Sequence, residues 1–428
     1  MSELRTRSAP DNELSPRSRS PLDGVDAVGA RAVFTRRVLG ALLGLMVLLL
    51  VVAAAHRLSS QGPRLLIASA ENRNDLDRRH DEVERWFSGS EVYLSRRESY
   101  PPASYALLWP LVGWLSPAAA RWLLALSGAF ALGWLVRQLA EGSRSQGVGQ
   151  IAAVALVPLA SVALASTLHN GQLALHVLPP TIAAILLLHR RPASWPRDLA
   201  AAGLLLLALV KPSSTAPFFW LLAALGGLRP AALVATGYGG LTLLAAAFQA
   251  DGLFALLRRW AAIGAMPRGD SGYGTLQVLL AWTGFERWTA EISLFALLAL
   301  GVWIAARRRS DPWILLGVTA IFARTWTYHR DYDDLLLLLP AAALLRIARS
   351  ESPPSAARAR ASAALAAILF GLLAPATFFA EGHYLAPCFR IGVPLAWLAA
   401  GAVLVGQAHS RSGGAYRTDP EDEIVRRA

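Results

Sequence analysis

Apolar residues dominate this chain in long runs that are separated by short polar stretches. Several runs are shorter than the ~20 residues that a helix needs to cross a hydrocarbon core of ~30 Å, so tilted, paired or re-entrant helices are expected among them. The pattern predicts an all-α integral membrane protein, a polytopic bundle of about twelve transmembrane helices. The runs lie at about 38–56, 103–136, 149–167, 171–188, 198–210, 214–228, 231–249, 289–306, 312–325, 334–346, 361–380 and 390–408.

Composition supports a membrane protein. Of 428 residues, 54% are hydrophobic and 16% are charged, whereas soluble chains carry about a quarter charged residues. The net charge of +12 comes from short basic clusters between the runs, which favours a membrane topology signal over a nucleic-acid partner. The single cysteine, Cys388, excludes an internal disulfide and a thiolate metal cluster.

The distribution of arginines predicts a multi-pass protein with both termini in the cytoplasm, and we expect it in the plasma membrane. Residues 1–30 are predicted to be a disordered cytoplasmic tail, 31–410 the transmembrane domain and 411–428 a second cytoplasmic tail. The run at 103–136 contains Pro110 and Ser116-Pro117. We expect one net crossing there, since two would place the basic clusters outside.

With this topology, the unusual polar stretches share the external face. The first external loop, 57–100, carries most of them, and Asp75 to Phe87 has the pattern of an amphipathic helix at the membrane interface. The alternative is a solvated helix whose charges pair with one another. The other stretches on this face are 169–172, 211–212, 250–288, 328–334 and 381–389.

Several short motifs follow one another on this face. Asp75 is followed by Gly89-x-x-x-Tyr93 and then by Tyr100-Pro101-Pro102. This order resembles the first external loop of the polyprenol-phosphate-dependent glycosyltransferases of family 87, which have the GT-C fold. Later matches are Asn170-Gly171-Gln172, Leu209-Val210-Lys211-Pro212 and Tyr332-Asp333-Asp334-Leu335-Leu336, so that the resemblance spans most of 38–350.

The resemblance implies a GT-C-like bundle that transfers a sugar, with mannose the first candidate, from a polyprenyl-phosphate donor to a glycolipid or glycan acceptor. The reaction would be inverting, with Asp75 as the general base, and would need no cofactor beyond the lipid-linked donor and no metal ion. Where the family has aromatic residues after this aspartate, the chain has Arg78, Arg79 and His80. That difference leaves the acceptor open and makes Asp77 a rival base. From the local sequence alone, Asp75 is equally a helix N-cap.

A departing phosphate requires a cation or hydrogen-bond donors. Lys211, the only lysine, either binds it or snorkels to the interface. Arg330 and His329 are the other candidates, with Asp333 to orient them, and the alternative is a solvated turn with an N-cap at Asp333 or Asp334. Tyr100 and Gln172 are further candidates for substrate contact, although Asn170-Gly171 also explains a plain turn.

Two other functions remain open from the sequence. A transporter or flippase for polyprenyl-linked sugars would have ionisable residues in mid-membrane and repeated halves, and neither pattern is evident. A non-catalytic membrane subunit of envelope-glycan assembly is compatible with Arg78 and Arg79 in place of the aromatics. The expected partners are membrane lipid and the two glycan substrates, and the sequence leaves the oligomeric state open.

Overall fold

A computed structural model describes most of the chain, which divides into two units, 1–50 and 51–428. In the first unit, the described residues form the beginning of helix α1 (Leu22–Leu66). Helix α1 begins at Leu22, inside the tail predicted at 1–30, whereas the rest of that tail and the predicted tail at 411–428 lie outside the described residues. The described ranges are 22–67, 74–95, 97–265, 273–281, 283–350, 354–374, 376–379 and 382–410.

The second unit is helical, and its described residues contain no strand, which confirms the predicted all-α class. Short segments of π-helix (Trp109–Gly113) and 3-10 helix (Ala216–Phe218, Glu286–Trp288, Asp331–Leu337 and Ala376–Phe379) connect some of the helices. The α-helices are α2 (Asp75–Phe87), α3 (Pro102–Leu108), α4 (Pro117–Gly142), α5 (Val148–Ala160), α6 (Val162–Asn170), α7 (Ala174–Arg190), α8 (Trp195–Ala208), α9 (Pro212–Thr215), α10 (Phe219–Gly226), α11 (Leu228–Ala246), α12 (Leu253–Ala265), α13 (Leu276–Ala281), α14 (Thr289–Arg307), α15 (Pro312–Thr325), α16 (Leu338–Arg349), α17 (Ser355–Leu373) and α18 (Ala386–Ser410).

Five helical segments among the described residues are long and apolar enough to cross a membrane, and α5 with α6 makes a sixth if this pair, bent by 53°, is one span. The chain is therefore a helical membrane protein, with fewer full-length spans than the about twelve predicted from the apolar runs. Prolines account for part of the difference. The run at 214–228 is divided at Pro217, where 3-10 helix separates the four-residue α9 from the eight-residue α10. The five segments are Gly44–Leu66, Pro117–Gly142, Glu286–Arg307, Ser355–Leu373 and Ala386–His409.

The run at 103–136 contains one helix that is long enough to cross, as expected. Ser116 caps α4 by accepting a hydrogen bond from the amide of Ala119, and Pro117 occupies the first helical position. The seven-residue α3 and the π-helical turn precede it. Pro110 thus lies in the short π-helical turn, and the Ser116-Pro117 pair begins the spanning helix.

Polar contacts lie at both ends of α4. Near its start, Arg121 forms an ion pair with Asp77 of α2. At its end, Glu141 pairs with Arg190, and Ser143 accepts a hydrogen bond from Arg349. A helix of 26 residues is about 39 Å long. The first loop and these basic residues are therefore separated by about the thickness of a bilayer.

Helix α7 lies in the core. It contacts α4, α8, α10 and α15, and it buries Leu175, Leu178, Ile182 and Ile185 almost completely. A helix surrounded by others can be apolar on all sides, which explains why this run shows no polar face. The 3-10 helix Asp331–Leu337 packs on the N-terminal part of the same core, against α6, α7 and α15, and so carries the polar turn at 328–334 into the interior.

Candidate functional site

The hydrogen bonds at the start of α2 show which of its residues cap the helix and which carboxylate makes contacts elsewhere. Asn74 is the N-cap: its side chain accepts a hydrogen bond from the amide of Asp77, and Asp77 accepts one from the amide of Asn74. This reciprocal capping box assigns the capping role to Asn74 and places Asp75 at the first helical position. The alternative in which Asp75 is the N-cap is therefore wrong, and its carboxylate is used elsewhere.

The carboxylate of Asp75 makes two side-chain contacts, one with a cation and one with a neutral amide. One carboxylate oxygen lies 2.6 Å from Nη1 of Arg78, one turn along the helix. The other accepts a hydrogen bond from the side-chain amide of Gln172. The carboxylate is only partly buried, with 17% of the side chain exposed, so it combines fixed orientation with access from outside.

A glycine lets α6 end against the start of α2. Gly171 follows α6 with φ +62°, the left-handed conformation that ends many helices. A Cβ at this position would lie 2.7 Å from Cβ of Leu76, so only glycine permits this approach. The turn predicted for Asn170-Gly171 is present, and it also brings Gln172 to Asp75.

Lys211 lies in the interior. It follows α8 and precedes α9, and its side chain is buried. Its ammonium lies 2.6 Å from Oδ1 of Asp333, 3.4 Å from Oε1 of Gln172 and 4.5 Å from the centre of the Tyr332 ring. The alternative in which this lysine snorkels to the interface is therefore wrong. A lysine buried at such depth requires a paired carboxylate, and Asp333 supplies it.

Asp333 accepts several hydrogen bonds inside the protein. Ser214 donates to Oδ1 at 3.2 Å, the amide of Arg330 donates to Oδ2 at 3.4 Å, and Nδ1 of His329 lies 3.0 Å from Oδ2. Burial alone would raise the pKa of this carboxyl, but Lys211 and then His329 hold it well below its usual range. Burial lowers the pKa of His329 itself.

Most of the polar turn at 328–334 is buried, although Arg330 is exposed. His329, Asp333 and Asp334 are all buried, and the N-cap of the 3-10 helix is Arg330. Both parts of the alternative for this turn, a solvated loop and an N-cap at Asp333 or Asp334, are therefore wrong.

Four residues from four distant parts of the chain thus form a continuous series of side-chain contacts: Asp75, Gln172, Lys211 and Asp333. We call these four the polar network. Arg78 extends it at one end, and Ser214 and His329 extend it at the other. Its two carboxylates are matched by the cations of Arg78 and Lys211. The sequence predicted the four members, whereas it did not indicate roles for Arg78 and Ser214.

Asp77 faces away from the network. Its Oδ1 accepts hydrogen bonds of 3.0 and 2.6 Å from Nε and Nη2 of Arg121, and both side chains are about nine-tenths buried. With one oxygen in this ion pair and the other in the capping box, the carboxylate has structural partners on both sides. Of the two rival bases, only Asp75 therefore lies in the polar network.

Two further predicted residues lie beside the network. The side chain of Arg330 is exposed, and its backbone amide donates a hydrogen bond to Asp333 of the network. Tyr100 lies under the guanidinium of Arg79, at 4.3 Å from the ring centre. Its carbonyl accepts a hydrogen bond of 2.8 Å from the hydroxyl of Tyr93. This bond joins the Gly-x-x-x-Tyr and Tyr-Pro-Pro motifs of the first loop.

Arg324 and Asp334 form a separate buried pair. Nε of Arg324 lies 2.5 Å from Oδ1 of Asp334, whose other oxygen accepts a hydrogen bond from Tyr273. The guanidinium also lies 4.9 Å from the ring of Trp397 in α18. Arg324 thus links α15 to Asp334, Tyr273 and α18.

The space beside the network is small. The gap lined by Ser214, Asp333 and residues of α7 has no room for a water molecule, whereas sites for small ligands are typically 300–1,000 Å³. A sugar phosphate would require side chains such as Arg78 to move. The group of described residues that could hold a metal ion lies farther along α2, at His80, Asp81 and Glu84.

No family model, curated protein or solved structure matches this chain. The resemblance to family 87 rests on the short motifs alone. Taken by its chemistry, the polar network offers a partly exposed carboxylate that can accept a proton, an amide that orients it, and a buried ammonium that can hold an anion.

Proposed function

We propose that this protein is a membrane glycosyltransferase of the GT-C type, which transfers a sugar, mannose first among the candidates, from a polyprenyl-phosphate donor to a glycolipid or glycan acceptor. One observation carries the proposal. The base and the cation that the motifs indicate, Asp75 and Lys211, contact the same side-chain amide, that of Gln172. A base and an anion site on opposite sides of one amide match what sugar transfer from a lipid phosphate requires.

The chemistry follows from these positions. An acceptor hydroxyl replaces Arg78 at Asp75 and gives its proton to the carboxylate as its oxygen attacks the anomeric carbon of the donor sugar. The bond from that carbon to the phosphate oxygen breaks, its electron pair stays on the polyprenyl phosphate, and the configuration inverts. Lys211, with Arg330 nearer the surface, stabilises the leaving phosphate. Asp333 holds Lys211 in place.

The membrane arrangement is part of the proposal. Polyprenyl-linked donors would reach the network from the external face of a bacterial plasma membrane, and both ends of the chain would be cytoplasmic. About twelve crossings would require shorter helices such as α7 and α15 to take part as tilted or broken spans. The contacts of Glu141 and Ser143 with Arg190 and Arg349, at the far end of α4 from Asp75, support this orientation.

Transfer from a labelled donor tests the function. Membranes containing wild-type protein, Asp75→Asn or Asp77→Asn are incubated with labelled polyprenyl-phosphate mannose and a glycolipid extract. We expect Asp75→Asn to lose about 10²–10⁴-fold in transfer rate, the usual contribution of a general base. Asp77→Asn is the control. It should lower thermal stability, because Arg121 loses its ion-pair partner, but the protein that remains folded should transfer sugar at the wild-type rate per molecule. Undiminished transfer by Asp75→Asn would remove this residue from catalysis.

A second candidate is a non-catalytic subunit of envelope-glycan assembly. The 2.6 Å ion pair between Arg78 and Asp75 supports it, because this cation stands where an acceptor hydroxyl would have to bind. The same assay separates the two functions. A catalyst transfers sugar after purification and reconstitution alone, whereas a subunit transfers nothing until an enzyme partner is added, and then Asp75→Asn has no effect.

A further inference from the structure

One face of α2 carries three potential metal ligands apart from the polar network. His80, Asp81 and Glu84 each offer one ligand atom, and these atoms all lie within 4.8 Å of one another. Because His80 and Glu84 are four residues apart, they share a helix face, and Asp81 lies three residues before Glu84. Carboxylates on a protein surface are common without a bound ion. Whether this cluster is a metal site therefore depends on the hydrogen bonds of the His80 ring.

The ring of His80 is fixed in one tautomer. Its Nε2 lies 2.7 Å from the carbonyl oxygen of Leu115. A carbonyl oxygen only accepts, so this nitrogen carries the proton and donates it. The lone pair of a neutral imidazole therefore lies on Nδ1, which is buried and has no hydrogen-bond partner. This nitrogen faces Glu84, whose Oε2 lies 3.9 Å away, beyond hydrogen-bond range.

This arrangement is the one that metal-binding histidines adopt. A ligating imidazole characteristically donates its other N–H to a carbonyl or carboxylate, which fixes the ring and directs the lone pair at the ion. An acceptor that is buried and unsatisfied is otherwise costly. The side chain of Glu84 is 68% exposed, so its carboxylate can rotate toward Nδ1 at the expense of little more than side-chain entropy.

We propose that His80, Asp81 and Glu84 form a binding site for a first-row divalent cation, with Zn²⁺ as the best match. Imidazole nitrogen selects Zn²⁺ and its neighbours in the series over Mg²⁺ and Ca²⁺, which prefer oxygen ligands alone. Three protein ligands and one water complete a four-coordinate zinc site. Asp75 lies five residues away, about 7.5 Å along the helix axis, so the ion is not part of the polar network.

The bound ion has a structural consequence for the first loop. Leu115, which holds the His80 ring, lies in the segment between the π-helical turn and α4. Binding at Nδ1 makes the Nε2 proton a stronger donor and so strengthens the contact between α2 and that segment. The ion thereby helps to hold α2, the helix that begins at Asp75, in position.

Metal binding to the purified full-length chain tests this site. Tag-free protein in detergent, stripped with a chelator, is titrated with Zn²⁺ by calorimetry, and thermal unfolding is followed with and without the ion. We expect one Zn²⁺ per chain at this site and a raised unfolding midpoint. Both His80→Gln and Glu84→Gln should weaken binding at least tenfold, on the scale of ligand-shell changes. Mg²⁺ and Ca²⁺ should compete poorly.

Matched controls exclude binding elsewhere. Glu91→Gln and His56→Gln remove an exposed carboxylate and an exposed imidazole outside the cluster and should bind Zn²⁺ as the wild type does. Because His80 is buried and its replacement can impair folding, Glu84→Gln, at an exposed position, is the decisive variant. Zn²⁺ affinity that is the same in wild type and Glu84→Gln would overturn the site, as would binding that His56→Gln abolishes.

Discussion

The side-chain nitrogen of Gln172 donates a hydrogen bond to Asp75, although the two residues are 97 positions apart in the chain. The oxygen of the same amide lies 3.4 Å from the ammonium of Lys211. An amide is suited to this position, because it offers a donor to the carboxylate and an acceptor to the cation at once. Gln172 therefore couples the two charged groups on which the proposed reaction depends.

Removal of this amide should affect transfer more than folding. We expect Gln172→Ala to lower the transfer rate by about 10–100-fold, since a misoriented base loses part of its effect. Asn170→Ala is the matched control, because the side-chain amide of Asn170 donates to Ser166 within α6 and not to a member of the network. The measurement is the initial rate at saturating donor with protein amounts equalised. Equal loss in both variants would indicate a general disturbance of the turn.

Substitution of Gly171 by any residue with a side chain should destabilise the protein. Gly171→Ala forces a Cβ to within 2.7 Å of Leu76 and requires a left-handed backbone that alanine adopts at a penalty of roughly 1 kcal/mol. We expect a lower unfolding midpoint and weaker transfer, because α2 must move away from α6.

Gly133→Ala is the control for that substitution. Nothing lies within 4 Å of a Cβ at Gly133, inside helix α4, so alanine there should be neutral or slightly stabilising. Thermal unfolding of both variants, followed by fluorescence, gives the comparison. A Gly171→Ala protein as stable and active as the wild type would mean that the approach of α6 to α2 is dispensable.

The ion pair of Lys211 with Asp333 should show strong energetic coupling. Both side chains are more than nine-tenths buried, and breaking such a pair on one side leaves an uncompensated charge that costs about 3–5 kcal/mol. Lys211→Met and Asp333→Leu should therefore each destabilise the protein severely, whereas the double variant recovers much of the loss. Transfer should be absent in all three: Lys211→Met and the double variant lack the cation of the phosphate site, and Asp333→Leu lacks the carboxylate that holds this cation in place.

A double-mutant cycle at the exposed pair Arg137 and Glu141 supplies the reference value for the coupling energy. These side chains are 80% and 38% exposed, and pairs of this kind couple by about 0–1 kcal/mol. Unfolding in a mild denaturant series yields both coupling energies. Coupling at Lys211 no larger than at Arg137 would show that the buried pair is not needed for the fold.

Much of the network could be predicted because its members share one face. Asp75, Gln172, Lys211 and Asp333 each lie in a polar stretch that the positions of the arginines assign to the same side of the membrane. The partners of Asp75 and Asp77 could not be predicted. Which of the two faces α4 depends on the rotation of α2 about its own axis, and that rotation follows from the packing of its buried face in the folded protein.

The number of spans shows another limit of the sequence. Hydropathy reports that a segment is apolar, but it does not show whether the segment forms one helix or several. The bend between α5 and α6, next to Pro158 and Ser161, and the breaks around Pro212 and Pro217 depend on proline and on hydrogen bonds to the freed backbone groups. The sequence shows an arginine at position 78 where the similar glycosyltransferases have aromatic residues, but the ion pair of Arg78 with Asp75 follows only from the helix geometry.

A second group of charges on α2, outside the spanning segments, should make stability depend on pH. Glu82 is fully buried, and burial raises its pKa to about 7 although Arg79 pairs with it. Tyr105 donates a hydrogen bond of 3.2 Å to the same carboxylate oxygen. The folded protein therefore holds a proton that the unfolded chain, with a pKa near 4.5, releases.

The sign of the effect follows from that difference. The stabilisation is complete below about pH 4.5 and is lost as the pH rises through about 7, a change on the order of 3 kcal/mol. We expect the unfolding midpoint of the wild type to fall between about pH 5 and about pH 8, and Glu82→Gln, which mimics the protonated side chain, to lack that decline. Glu91→Gln, an exposed carboxylate of the same loop, should decline as the wild type does. If Glu82→Gln and the wild type lose stability in parallel, the pH dependence arises from other groups, and Glu82 is ionised in the folded protein.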